Sequence, residues 1–480
     1  MGLGNSSRII SIHILDDDSL LNIFCLYRPY FLGEDSKDLR RLQGGWSRDE
    51  GWWYRLAHVC QRWRNLIFGS ASYLRLSLVC ANGTPVEKML AHSLPFPLTV
   101  DYDERGTTPD DEKGILLALE QRHRVRHLRL NFPVQNLRNL IMAIDEEFPI
   151  LEYLIVIPSE SAEDVEGAAL MLPETFQAPN LRHLTLYNFA CPIRPRLHPT
   201  AANLITLFLT IDRPSTYFQP NILLQWISFM PQLETLVIMF TFPVPKRDVK
   251  RQLTNTPITG HVTLPNLRVL SLQGASSAYS EAIVRQISAP RIENLVIHFF
   301  NQLTFSVPHL AQFMNTVENI RFDHARISFS SSEIEVVLEF PGFRTFPFRI
   351  IVGCEHYDWQ VSFVVQICNA LGQKFSAARH LTLKCYLDYQ SSEERHGIDD
   401  RIEWREILRS FSNVKTLHIH GLVEELSRCL RLEDGELPLE LLPELQELQV
   451  ADPLRRASAF TSFIDARQNA GRPVTLTLFA

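Results

Sequence analysis

One pattern of apolar and polar positions recurs along most of the chain: an apolar residue, two others, leucine in all but one copy, one other, and a second apolar residue. It reads VRHLRL from Val125, LEYLIV from Leu151, LRHLTL from Leu181 and LITLFL from Leu204. LETLVI follows from Leu233, LRVLSL from Leu267, IENLVI from Ile292 and VENIRF from Val317. After an irregular gap come ARHLTL from Ala378, VKTLHI from Val414 and LQELQV from Leu445. Alternation with a period of two predicts a strand with one face in a core. Between these strands lie segments of helical period, NILLQWISFM, YSEAIVRQI, VPHLAQFMN, DWQVSFVVQICNALGQKF and WREILRSF. Strands alternating with helices predict a parallel sheet with the helices outside it.

Successive starts from Val125 to Val317 are 26, 30, 23, 29, 34, 25 and 25 residues apart. Spacings of roughly 20–29 residues are those of leucine-rich repeats, one strand and one return element per turn. The fold expected is α/β, an irregular, curved leucine-rich-repeat solenoid over residues 71–480, opened by RLSLV at 75–79 and FPLTVDY at 96–102 and closed by RPVTLTLFA. The irregularity shows at the position after the strand where such repeats carry Asn or Cys. In the Leu181 copy Phe189 occupies it, with Asn188 one place early.

The first seventy residues follow a different period. ILDDDSLLNIFCLYRP predicts a helix with aspartates at its N-terminus, closed by Pro29. LAHVCQRWRNL predicts a second helix over 56–67, with Leu56, Val59, Cys60, Trp63, Leu66 and Ile67 on one stripe. Between them FLGEDSKDLRRLQGGWSRDEG, residues 31–51, is charged and glycine-bearing and predicts a surface loop. Residues 1–12 are expected to be a flexible tail. Two short helices cannot enclose a core of their own. They either cap the strands or dock a partner, and the pattern alone leaves both open.

Composition narrows the function without naming it. The 480 residues are 45% hydrophobic and 21% charged, with a net charge of −7, so no basic field argues for nucleic acid. No apolar run is long enough to span a bilayer and no secretory segment opens the chain, which predicts a cytoplasmic or nuclear protein. The opening MGLGNS fits the pattern for myristoylation of Gly2, but one acyl chain with only Arg8 nearby anchors weakly. Eight scattered cysteines without a CxxC predict reduced thiols. No catalytic or phosphate-binding motif occurs, so no enzyme and no cofactor are expected. No metal site is expected either: His418 and His420 share a strand face, but nothing nearby in sequence completes a ligand set. Lys246, Arg247, Lys250 and Arg251 read as a solvated insert.

ILDDDSLLNIF followed by LAHVCQRWRNL resembles an F-box, the helical module that docks the Skp-type adaptor of cullin–RING ubiquitin ligases. The stretch from Gly69 to Tyr102 is similar to the fungal, mushroom-type branch of that family. The module would span 13–70 with the 31–51 loop inserted. The resemblance implies that Ile14, Leu15, Leu20, Leu21, Ile23, Phe24, Leu56, Val59, Cys60, Trp63 and Leu66 face the adaptor. Leu15 stands where the family usually has proline, and the spacing between helices is longer than usual. It further implies a substrate-recognition subunit that carries no chemistry and binds an unidentified protein substrate. The rival reading is a repeat scaffold whose N-terminal helices are only an intramolecular cap.

The substrate would meet the concave face, formed by the strand residues that alternate with the core. Those positions include His127, Arg129, Tyr153, Ile155, His183, Thr185, Tyr187, Phe208, Val237, Met239, His298, Arg321, His380 and Lys384. Tyr153, Ile155, Tyr187, Phe208, Val237 and Met239 are expected to form an exposed apolar strip.

Overall fold

Each repeated pattern that can be followed becomes a strand, which starts two residues in except in the Val125 copy, where Val125 itself begins it. Elsewhere the first apolar residue closes the preceding turn and the leucine opens the core face. The computed structural model describes residues 14–27, 51–104, 107–159, 170–190, 201–242, 260–300, 306–317, 322–340, 348–386, 401–433, 436–451 and 457–479. Gly2 and the rest of the expected tail, the loop at 31–50, Cys191, the basic quartet at 246–251 and Arg321, with most of the Val317 copy, lie outside them.

The chain divides into two compact units, residues 1–161 with 172–181, and residues 162–171 with 182–480. The first unit holds α1 (Asp17–Tyr27), α2 (Trp52–Ala57), α3 (Gln61–Gly69), β1 (Leu78–Ala81), α4 (Val86–His92), β2 (Leu98–Asp103), α5 (Pro109–Glu120), β3 (Val125–Phe132), α6 (Val134–Met142) and β4 (Tyr153–Pro158). Strands β1 to β4 pair in sequence order, all parallel. Leu98, Val100, Leu128, Leu130, Leu154 and Val156 are fully buried on one face. Helix α5 begins as its sequence demands: Thr108 and Asp111 form a reciprocal capping box, with Pro109 in the first turn.

The second unit opens with β5 (His183–Tyr187), β6 (Thr206–Ile211), α7 (Pro220–Ile227), β7 (Thr235–Phe240), β8 (Val262–Thr263), β9 (Val269–Ala275), α8 (Ser277–Gln286), β10 (Ile287–Ser288), β11 (Asn294–Phe299) and α9 (Pro308–Thr316). It continues through β12 (His324–Phe329), β13 (Glu333–Glu339), β14 (Phe348–Gly353), α10 (Tyr357–Phe375), β15 (His380–Cys385), α11 (Arg401–Arg409), β16 (Thr416–His420), α12 (Val423–Leu430), β17 (Glu447–Ala451), α13 (Thr461–Asn469) and β18 (Thr475–Phe479). Its sheet runs β5-β6-β7-β9-β11-β14-β13-β12-β15-β16-β17-β18, while β8 and β10 form a small separate ladder. Helices α7 to α12 each pack against the next, so burial is shared between neighbours along the unit. The architecture is mixed α/β with mostly parallel strands, and among the described residues no helix is long and apolar enough to cross a membrane.

The irregular gap in the repeat is a hairpin. From β11 the chain passes through α9 to β12, three places away, and β13 and β14 then fold back to fill the space. Strand β13 is antiparallel to both its neighbours. Its turn is made by Ser330, whose hydroxyl donates to the carbonyl of Glu333 and accepts from that residue's N–H. Helix α10 must then recross three strand spacings, roughly 14 Å at about 4.8 Å each. Its 19 residues make it the longest described helix.

The residue seven places after the start of the pattern turns left-handed in three copies, at Asn188 (φ 58), Gly274 (φ 70) and Gly421 (φ 75). Asparagine and glycine are the residues that accept this conformation at least cost. At Gly274 a side chain would run into the carbonyl of Phe240 on β7. Asn188 uses its side chain instead, its carbonyl accepting from Asp212 N–H at 2.7 Å. Asn82, after β1, makes the same kind of clasp on both backbone groups of Asp103.

Candidate functional site

The helix expected over 56–67 is two helices. Chain direction breaks at His58 and Val59, and Cys60, extended at φ −158 and ψ 170, caps α3 by accepting from Trp63 N–H at 3.4 Å. A thiol in the N-cap position competes with continuation of the helix, as short polar side chains do. The single stripe is therefore split between two surfaces. Trp53, Ala57 and Ile67 are buried. Trp53 donates its indole N–H to Ser77 O at 3.2 Å and meets the rings of Phe68 and Phe96 edge-on at 6.0 and 5.8 Å. Trp63 turns the other way, edge-on to Phe24 of α1 at 4.9 Å, and remains half-buried.

Helix α1 is held at its start by Asp16, which accepts from Ser19 N–H at 2.6 Å. Arg62 of α3 donates to Asp17 and to Leu15 O, both at 2.7 Å. Leu20 and Phe24 are buried, so both serve the module's own packing and offer no surface. Leu15, Leu21, Leu56, Cys60 and Leu66 are half-buried. The exposed apolar residues of the module and its flank are Ile14, Ile23, Leu26, Tyr27, Tyr54, Val59 and Tyr73. Ile23, Leu26 and Tyr27 follow i, i+3, i+4 spacing and form one outward face of α1. Leu26, Tyr27 and Tyr73 were not among the expected adaptor-facing residues, although the same spacing marks the first two.

On the sheet of the first unit, the face opposite the core is a hydrogen-bonded network. Arg129 reaches Asp101 at 2.8 Å, and His127 lies 3.2 Å from Thr99 and edge-on to Tyr153. Ile155 is buried and Tyr153 half-buried.

The corresponding face of the second unit changes character along the strand order. Toward β5 it is packed. Thr185, Phe208, Val237 and Ser271 stand side by side in register and are all buried, with Tyr187 stacked on Phe208 at 5.9 Å. The exposed strip expected here is thus absent at its centre, where Phe208 and Val237 are closed off among their in-register neighbours and the stacked ring of Tyr187. His183, Tyr187, Met239 and His298, toward the strand ends, remain half-exposed.

Across the hairpin the face becomes charged. Arg349 meets Glu335 at 2.6 Å, Arg326 meets Glu339 at 3.6 Å, and His298 lies 4.0 Å from Glu333. Burial holds the His298 imidazole below its ordinary pKa, with Arg349 acting in the same direction and Glu333 against it. On β12 and the strands beyond it lie His324, His380, His418 and His420, all half-buried. His324 and His380 are register partners on β12 and β15, their rings stacked at 4.2 Å and 18°. Asp323 accepts from His324 Nδ1 at 2.6 Å. Burial lowers the His380 pKa and His324 lowers it further. Asp323, His324 and His380 present ligand atoms within 4.8 Å of one another. Sequence reasoning missed this group because 56 positions separate its two histidines and only strand register joins them.

Among the described residues no cysteine is in a disulfide; Cys80, Cys354, Cys368 and Cys429 are buried, and burial pushes the Cys80 thiol up to about 12. No protein-family model and no curated protein matches the chain.

Proposed function

We propose that this chain is a substrate receptor of a Skp-adaptor, F-box type ubiquitin ligase. The observation that carries the reading is the outward face of α1, with Ile23, Leu26 and Tyr27 exposed on a helix fixed from behind by Phe24, Trp63 and Arg62. An apolar face on a rigid backing loses little entropy when a partner covers it. The receptor works by proximity: tethering a substrate beside the ligase's loaded ubiquitin carrier raises its effective concentration there. Substrate would meet the second unit's sheet face, at the half-exposed residues Tyr187, Met239, Gln273 and His298 and the charged positions beyond them.

The scaffold reading draws support from Trp53, which binds α2 to the start of the sheet as a terminal cap would. The two readings use different sides of the module and separate experimentally. Leu26→Glu with Tyr27→Ala alters only exposed side chains and leaves the Trp53 contacts intact. The variant is expected to melt with wild type and to lose adaptor and cullin on affinity capture, by roughly 2 kcal/mol or more for an interface anchor. Capture of adaptor by neither protein overturns the receptor reading and leaves the scaffold, and equal capture by both removes the outward face of α1 as the docking surface.

A further inference from the structure

We propose that Asp323, His324 and His380 form a binding site for a divalent transition-metal ion, with zinc the best match to the donor set. Two imidazoles and one carboxylate are ligands that suit zinc, and three protein donors leave a fourth tetrahedral position to water.

The site is assembled by register. Strands β12 and β15 pair in parallel with His324 directly opposite His380, so both side chains leave the same face of the sheet. The backbone is fixed at the same point: Asp323 O accepts from both Arg379 N–H at 2.7 Å and His380 N–H at 3.0 Å. The carboxylate of Asp323 is thereby held beside the two rings, its Oδ1 at 2.6 Å from His324 Nδ1. All three side chains are partly open to solvent, which gives an ion a route in.

Loading requires only small side-chain adjustments. Donors around a tetrahedral zinc, at bond lengths of about 2.0–2.2 Å, lie roughly 3.4 Å from one another. The present donor atoms lie within 4.8 Å. The ion takes the position of the proton shared by Asp323 Oδ1 and His324 Nδ1, and those atoms part by less than about 1 Å. The imidazole proton of His324 moves to Nε2 by exchange with water. His380 supplies the third donor after its ring swings out of the stack, since nearly parallel rings direct their lone pairs side by side instead of toward one point. That swing is a side-chain rotation and leaves the strand pairing intact.

The test uses the full chain, stripped with a chelator and titrated with zinc against a chromophoric competitor, with cobalt as a spectroscopic substitute. One equivalent is expected to bind, to raise the melting temperature, and to give a tetrahedral cobalt spectrum. His380→Gln and His324→Gln are each expected to weaken binding by about tenfold or more, near the range for disturbing ligands and their supports. Their metal-free melting should follow wild type. If His324→Gln alters strand pairing, His380→Gln reads the same ion from the other strand. Failure of wild type to bind zinc, or equal binding by the double variant, overturns the assignment. Neither outcome depends on adaptor capture, so the site and the receptor reading stand or fall separately.

Discussion

The second unit carries two kinds of surface on one face of one sheet. Toward β5 the middle positions are Thr185, Phe208, Val237 and Ser271, all buried. Toward β17 the equivalent positions are Thr382, His418 and Gln449, all half-exposed. The opposite face of these same strands is uniform: Leu184, Leu207, Leu236 and Leu270 at one end, Leu381, Leu417 and Leu448 at the other, all buried. Repetition therefore governs the core face, where every copy must meet its neighbour's leucine. On the other face each copy is free to differ, and binding chemistry can accumulate there without loss of stacking.

The largest separation of the two ends should come from truncation. Phe208→Ala removes a buried ring and should cost about 3–5 kcal/mol, read from denaturant midpoints. An effect under about 1 kcal/mol would show that the packed end is packed in appearance only. Backbone comes next. Gly274 and Gly421 share a left-handed conformation, but a Cβ at Gly274 strikes the Phe240 carbonyl, whereas at Gly421 it would lie 2.8 Å from the Cys385 carbonyl. Gly274→Ala should cost about 3 kcal/mol and Gly421→Ala about 1–2 kcal/mol. Equal losses would mean that the two ends yield equally.

A smaller effect marks the boundary between them. Burial depresses the folded pKa of His298 below its ordinary 6.5, so the unfolded chain binds that proton more readily. The stabilisation linked to neutral His298 is fully present above about pH 6.5 and is lost as pH falls through the folded pKa. His298→Gln should flatten that acid limb of the melting profile, and a limb of unchanged slope would assign the acid sensitivity elsewhere. Smallest of all, His418→Gln at the open end should shift stability by no more than about 0.5 kcal/mol, as a surface substitution does. A larger loss would show that the open end is packed too.

Strand positions were legible because the alternation that makes a strand is local: LRHLTL and ARHLTL each yield a strand from their third residue. The hairpin was legible in part, since three serines separate two β-rich runs, but its antiparallel strand has no counterpart in the parallel repeat. Cys60 was not legible, because the same cysteine fits a helical stripe and an N-cap equally well. The burial of Phe208 and Val237 and the meeting of His324 with His380 depend on which strands are neighbours, and that order is not a local property. On the helical module, Leu20 and Trp63 were legible as apolar stripe residues, whereas their inward or outward facing followed from how α1 meets α3.

The hairpin at β12 to β14 also has a consequence in time. β14 follows its partner β13 after eight residues, whereas each parallel pair of the main sheet in this unit joins described strands some 18 or more residues apart, and parallel strands need a crossover segment between them before they can pair. β12 and β13 are separated by three residues, and hairpins of this kind close in about 1–10 μs. A two-stranded ladder that forms so early offers open edges to slower strands. β12 presents its edge to β15, and β14, once added, presents its own to β11. The segment that interrupts the repeat is thus the place from which assembly of the second unit can spread in both directions along the chain.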